Sequence, residues 1–179
     1  NRELASNADF RGVRMRVQDA AVGKIAQATG AFPVGVPDEK LVDAIARGTV
    51  DAVWLSTAVG VEERLWESFG HYYRIESWLP KNFVFVNAAL FEGLAPEQRG
   101  AILGAAAMAE TMGWNRSRLR ATGFARRLAA EGMTVDDPNE LWREELRGIG
   151  AVMLMDWLKG AGVSGAAVLD SYNELSGAR

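Results

Sequence analysis

The stretch that decides the fold is residues 11–57, RGVRMRVQDAAVGKIAQATGAFPVGVPDEKLVDAIARGTVDAVWLST. Three short apolar segments, at 12–17, 32–36 and 50–55, alternate in it with two helical patterns. In the first segment Val13, Met15 and Val17 alternate with Arg14 and Arg16, so a strand places the arginines on the face opposite the valines. The first helical pattern, 19–29, opens on Asp19 and is closed by Gly30. The second opens at Pro37-Asp38, carries Leu41, Val42, Ile45 and Ala46 on one face, and ends at Gly48. Helices separate the strands, so the sheet is expected to be parallel with right-handed crossovers. An arginine at the carboxyl end of a strand in such a sheet lies where open sheets bind ligands, which makes Arg16 the first candidate functional residue.

Composition narrows the class. The 179 residues are 49% hydrophobic and 24% charged, enough to bury a core of ordinary size as one domain or two small lobes. A net charge of −3 and a pI near 5.3 supply no basic field, which argues against nucleic acid or an anionic membrane as main partner. Absence of cysteine excludes disulfides, thiolate nucleophiles and cysteine metal sites, and is compatible with an oxidising compartment. The chain opens Asn1-Arg2-Glu3-Leu4 with no basic segment and apolar core behind it, so a signal peptide is expected to have been removed. Its longest apolar passages, 100–109 and 149–155, fall short of the roughly 20 residues of a spanning helix, and a soluble protein is expected.

Beyond residue 57 the pattern changes. Residues 60–69 read as a helix ended by Gly70, 72–75 as a short strand, Trp78-Leu79-Pro80 as a turn, and 82–87 as a strand rich in Phe and Val. From Leu94-Ala95-Pro96-Glu97 a helix can run without proline to about Glu131, ending at Gly132. Such a length suits a helix that spans two lobes, with Gly113 or Gly123 as the place for a kink. Residues 139–158 and 164–175 are helical, with glycine breaks at Gly160 and Gly162.

Several phrases together resemble a known family, the periplasmic solute-binding proteins of TRAP transporters, typified by dicarboxylate binders. They are Phe10-Arg11-Gly12-Val13-Arg14-Met15-Arg16-Val17, the Gly30-Ala31-x-Pro33 step, and Ala44-Ile45-x-x-Gly48-x-Val50-Asp51. His71-Tyr72 followed by Asn82-Phe83-Val84-Phe85-Val86-Asn87, and then Leu94-Ala95-Pro96-Glu97-Gln98, complete the series. The order and distances carry the resemblance more than any one phrase. It implies an α/β fold: a periplasmic-binding-protein-like lobe with a mostly parallel sheet flanked by helices, a long lobe-spanning helix and C-terminal helices. Family members carry most of a first lobe ahead of the strand matching 12–17, so the N-terminal lobe is expected to be largely missing from this chain. Residues 1–80 would then be the first part of the ligand-binding lobe. Residues 81–112 would give a strand and helix to the other, incomplete lobe, and 113–179 would continue the long helix and add C-terminal helices on the first lobe.

The resemblance also assigns site residues. The family's arginine matching Arg16 clamps the carboxylate of the solute, and a guanidinium fork matches a carboxylate bidentately. Without the resemblance, an arbitrary strand arginine is more often a surface residue or half of an ion pair. Arg14, on the same face, suits pairing with an acid at the sheet edge and takes no ligand role. Asp19 either caps the following helix or faces the ligand. Trp54 closes the third segment where relatives place polar or aromatic contacts, and an indole can floor a pocket and donate a hydrogen bond. Its neighbours Val53 and Leu55 replace the acidic or amide residues of many relatives, which weighs against a sugar acid and against a carboxylate metal site. Asn82 either offers an amide from the crossing strand or is a turn residue after Pro80-Lys81. Capping accounts for Asp38, Ser56 and Thr57.

Other features read as structural. His71, the lone histidine, has no nucleophile or grouped metal ligands beside it. Arg116, Arg118, Arg120, Arg126 and Arg127 spread around their helix as a solvated face. Trp66, Trp78, Trp114, Trp142 and Trp157 read as core or interface residues, and no phosphate loop or dinucleotide fingerprint is present. The function expected is therefore an extracytoplasmic, periplasmic solute-binding component that captures a small organic acid for a TRAP membrane permease. It is expected to need no cofactor or metal and to catalyse no reaction. The alternative is a ligand-sensing or oligomerising module that kept the fold and lost transport, with a homodimer as its partner state.

Overall fold

The computed structural model describes residues 3–78 and 81–177, so Leu79 and Pro80 of the expected turn lie outside the described residues. The chain divides into two compact units, one of residues 1–55 with 137–179 and one of residues 56–136.

In the first unit, strand β1 (Arg14–Val17) leads through helix α1 (Ala20–Thr29) to strand β2 (Phe32–Gly35), and the two strands pair in parallel with Arg16 opposite Val34. Asp19 Oδ1 accepts from Val22 N–H at 2.8 Å and so starts α1. Gly30, at φ 73°, stops it in the left-handed conformation, with its N–H returned to the carbonyls of Ala26 and Gln27. Val22, Ile25 and Ala26 of α1 are buried with Met15 of β1. A 3-10 turn (Asp38–Lys40) then runs into helix α2 (Leu41–Ala46), which buries Leu41, Ala44 and Ile45.

The third strand expected at 50–55 is reduced to a single parallel bridge, Met15 to Ala52. The cause is Asp51. Its carboxylate takes the Arg14 N–H at 3.0 Å, and the Arg14 carbonyl accepts from both Asp51 and Ala52, so the regular ladder cannot propagate. Gln18 Nε2 donates to the Trp54 carbonyl at 3.1 Å, a side chain standing in for a ladder bond.

Helix α6 (Glu140–Ser176) completes this unit. Asn139 caps it, and Trp142 in its first turn is wholly buried against Phe10, ring centroids 5.8 Å apart. Trp142 Nε1 donates to Asn7 Oδ1 at 3.2 Å and Asn7 N–H donates to Glu145 Oε2 at 2.6 Å, so the N-terminal segment is sewn onto the start of the helix. Further along, Lys24 of α1 pairs with Asp156 at 3.2 Å. Gly162, at φ 59° and ψ −146°, breaks the helical path. Beyond Trp142, only Gly165 of α6 is buried, while Val152, Met155, Val163, Val168, Tyr172 and others are exposed. An 18-residue window of α6 has mean hydropathy 1.3 and is 6% buried, long and apolar enough by composition to cross a membrane. The window meets that measure by length and composition only, since Asp156 and Lys159 interrupt its apolar runs without lowering the average enough.

The second unit holds α3 (Thr57–Glu62), a 3-10 turn (Leu65–Glu67), β3 (His71–Tyr73), α4 (Ala88–Glu92), α5 (Pro96–Ala130) and β4 (Thr134–Asp136). The helix expected over 60–69 is thus split, with Arg64 at φ 51° between its two parts. Strand β4, absent from the sequence expectation, pairs in parallel with β3, His71 opposite Thr134. Helix α5 runs unbroken through Gly113 and Gly123, so the expected kink is not found there. Its C-terminal part buries Leu128 beside Met133, and Arg127 lies over the Trp66 ring at 5.8 Å.

Residues 82–87 form no strand among the described residues, against expectation. Phe83, Val84, Phe85 and Val86 are all exposed. An apolar run without alternation suits a strand covered on both faces and paired on both edges, and nothing in the described chain supplies those neighbours.

Candidate ligand-binding site

Arg16 is the most unusual side chain of the first unit. Its residue is 3% exposed although it carries a full charge. Burial of a cation is tolerated only when its donors are met. Nε donates to the Val36 carbonyl at 2.9 Å, just past the end of β2, and Nη2 pairs with Asp38 Oδ1. Among the described residues Nη1 takes no hydrogen bond. The strand alternation accounts for the geometry: Met15 packs into the α1 side and Arg16 points the other way.

Asp38 is the partner that the sequence reading treated as a cap. It caps nothing: the 3-10 turn it opens has no side-chain cap. Its side chain is 88% exposed, so a buried guanidinium is matched by a carboxylate facing solvent. The available signal was positional, since Asp38 follows the C-terminal end of β2, where open α/β sheets gather their ligand groups.

Arg14, on the same face, forms a bidentate pair with Asp51, Nε to Oδ2 at 2.8 Å and Nη2 to Oδ1 at 2.6 Å. The hydrogen bond from Arg14 outweighs partial burial and holds the Asp51 carboxyl at about 2, while the same bond raises Arg14. This is the edge pairing expected of Arg14, and it leaves Arg16 as the guanidinium with a donor to spare.

Asp19 is exposed and its Oδ1 is committed to the α1 cap. Trp54 is half-buried in the first unit, on the segment alongside β1. Asn82 is exposed and belongs to the second unit. Ser56 caps α3 through Val59 N–H at 3.3 Å, whereas Thr57 shares a 2.5 Å hydrogen bond with the Tyr72 hydroxyl. His71 stacks on Tyr73 at 6.3 Å, and its buried Nδ1 has no partner among the described residues. Three arginines of α5 are occupied locally: Arg118 bonds Asn115, Arg120 lies over Phe124, and Arg127 pairs with Glu131.

Small parallel sheets flanked by helices, two very long helices, and a buried arginine near the end of β1 define a portion of a periplasmic-binding-protein-like fold. The profile of bacterial extracellular solute-binding protein, family 7 (DctP), matches residues 1–154, and the chain belongs to that family. Among solved structures it resembles Bordetella pertussis DctP7, an extracytoplasmic solute receptor binding pyroglutamic acid. Identity is 35% and the TM-score 0.82, over 96% of this chain and 57% of that one. It is equally similar to DctP6 of the same organism, also a receptor binding pyroglutamic acid, at 35% identity and TM-score 0.84 over 97% and 58%. A marine metagenome TRAP solute-binding protein specific for pyroglutamate follows at 34% identity and TM-score 0.81, over 97% and 57%. The chain therefore spans less than three-fifths of the length of these relatives. No curated protein gives a match.

Proposed function

We propose that this chain carries the carboxylate-gripping part of an extracytoplasmic TRAP receptor that captures a small organic acid, pyroglutamate first among them, for delivery to its membrane permease. The observation that carries the reading is Arg16: a buried guanidinium, braced by Val36 and Asp38, that keeps one nitrogen for an incoming oxygen. Bracing fixes the fork before the ligand arrives, so little side-chain entropy is lost on binding. Trp54 shapes the pocket and Asp19 serves as a cap beside Arg16 in sequence, while Asn82 is a further candidate ligand group on its own unit. Closure around the acid excludes water and strengthens the charge-assisted bonds. No bond is made or broken, and uptake draws on an ion gradient at the permease. Identities of 34–35% to three receptors of one ligand support pyroglutamate as the first acid to test.

The test is calorimetric titration of the full-length protein with pyroglutamate and a panel of small mono- and dicarboxylates. Binding that Arg16→Ala abolishes supports the reading. Affinity that survives in the variant overturns it.

A second reading, an oligomerising module without transport, draws on the exposed apolar side chains of α6 and of Phe83 to Val86. It predicts a stable homodimer on gel filtration and silence across the acid panel.

A further inference from the structure

The pairing of Arg16 with Asp38 sets a condition on which acids fit. A ligand carboxylate approaching Nη1 of Arg16 meets a guanidinium that already holds one carboxylate, and that carboxylate belongs to the protein. Two anions on one fork repel each other at close range, where screening is weakest. A hydrogen-bond donor carried beside the ligand's own carboxylate removes the conflict, because it faces Asp38 as its partner instead of its rival.

Asp38 is equipped to accept such a bond. An ionised carboxylate has about four acceptor positions, and Asp38 spends Oδ1 on Arg16. Oδ2 takes no hydrogen bond among the described residues, and the 88% exposure of the side chain leaves it open to a solute. Asp38 is also held in place, since its backbone opens the 3-10 turn that leads into α2 and its carbonyl accepts from Leu41 N–H.

We infer that Asp38 is a second ligand-contacting group, which accepts a hydrogen bond from an N–H or O–H adjacent to the solute's carboxylate and so selects acids bearing that donor. The inference rests on Arg16 being the clamp. Acids of this class include cyclic amido acids and 2-hydroxy acids. Plain aliphatic acids of the same size are discriminated against, because they leave Asp38 facing an anion or an apolar edge.

The test uses a matched pair of acids on the full-length protein: pyroglutamate and 3-oxocyclopentane-1-carboxylate, in which a methylene replaces the ring N–H. Calorimetry on the wild type is expected to show a preference for pyroglutamate of about tenfold or more. Asp38→Ala should bring the two acids to within about threefold of each other. The ratio is measured on one preparation, so any general loss of stability cancels. If Asp38→Ala does not fold, Asp38→Asn, which keeps an acceptor and loses the charge, should give an intermediate ratio. Both acids binding the wild type without preference, or a preference that stays at its wild-type size in the Asp38 variants, overturns the role of Asp38 and leaves the Arg16 clamp standing. Arg16→Ala binding both acids as the wild type does overturns the clamp itself, and this inference with it.

Discussion

Arg16 and Asp38 form an ion pair with unequal exposure: the guanidinium side chain is 3% exposed and the carboxylate side chain 88%. Such a pair does little as a surface ornament, because the buried partner is fixed and the exposed one can be replaced or shared by a solute. The neighbouring pair, Arg14 with Asp51, is exposed on both sides at 43% and 40% and satisfies itself bidentately. Two arginines two residues apart on one strand face thereby take different partners, Arg14 the acid Asp51 and Arg16 the Val36 carbonyl with Asp38.

Asp51 supplies a pH prediction. Its carboxyl lies at about 2, below the ordinary 3.8, chiefly through the Arg14 hydrogen bond. A folded-state value below the unfolded one contributes stability above about pH 4, which is lost as pH falls towards 2. NMR titration should find the Asp51 carboxyl protonating near pH 2 in the wild type and closer to the ordinary value in Arg14→Ala. Equal midpoints in the two proteins would refute the assignment. Because the pair is solvent-exposed, its contribution to stability is small and should shrink with added salt.

Trp142 anchors the N-terminal segment to α6. It is wholly buried, packs at a tilt against Phe10 and hydrogen-bonds Asn7. Trp142→Ala should cost about 3–5 kcal/mol by urea unfolding. A loss below 1 kcal/mol would mean that the segment is not docked as described.

Two glycines of α6 should respond to alanine with opposite signs. At Gly165 an added Cβ would lie 2.5 Å from Ala161 Cβ and 3.3 Å from the Trp157 ring, a consequence of the break at Gly162, so Gly165→Ala is expected to destabilise by about 1–3 kcal/mol. At Gly148 a Cβ meets nothing within 4 Å, and Gly148→Ala should stabilise by roughly 0.5–1 kcal/mol. Thermal unfolding of the two variants side by side checks this, and shifts of the same sign would contradict the geometry of the break.

Local signals in the sequence located most of the first unit. The Asp19 cap and the Gly30 stop are each decided within a few residues and the chain adopts them as written, while the strand expected over 12–17 is found over Arg14–Val17. The same holds for the break at Gly162, where no other residue type sits comfortably. What escaped depends on distant partners. Strand β4 is three residues long and exists because β3 lies beside it, and residues 82–87 have strand composition but no neighbour to pair with. In the proposed site, Arg16 was legible from its strand position. Asp38 was not, because a carboxylate at a helix start has an ordinary explanation in capping, and it is the folded path past β2 that turns it to Arg16 instead.

The most direct measurement of the central claim is the affinity of the full-length protein for pyroglutamate, by calorimetry, in the wild type and in Arg16→Ala, with circular dichroism to establish that both are folded. Loss of a charge-assisted contact and of its preorganised fork predicts a fall in affinity of about a hundredfold or more. A folded Arg16→Ala protein that binds the acid within threefold of the wild type would contradict the account.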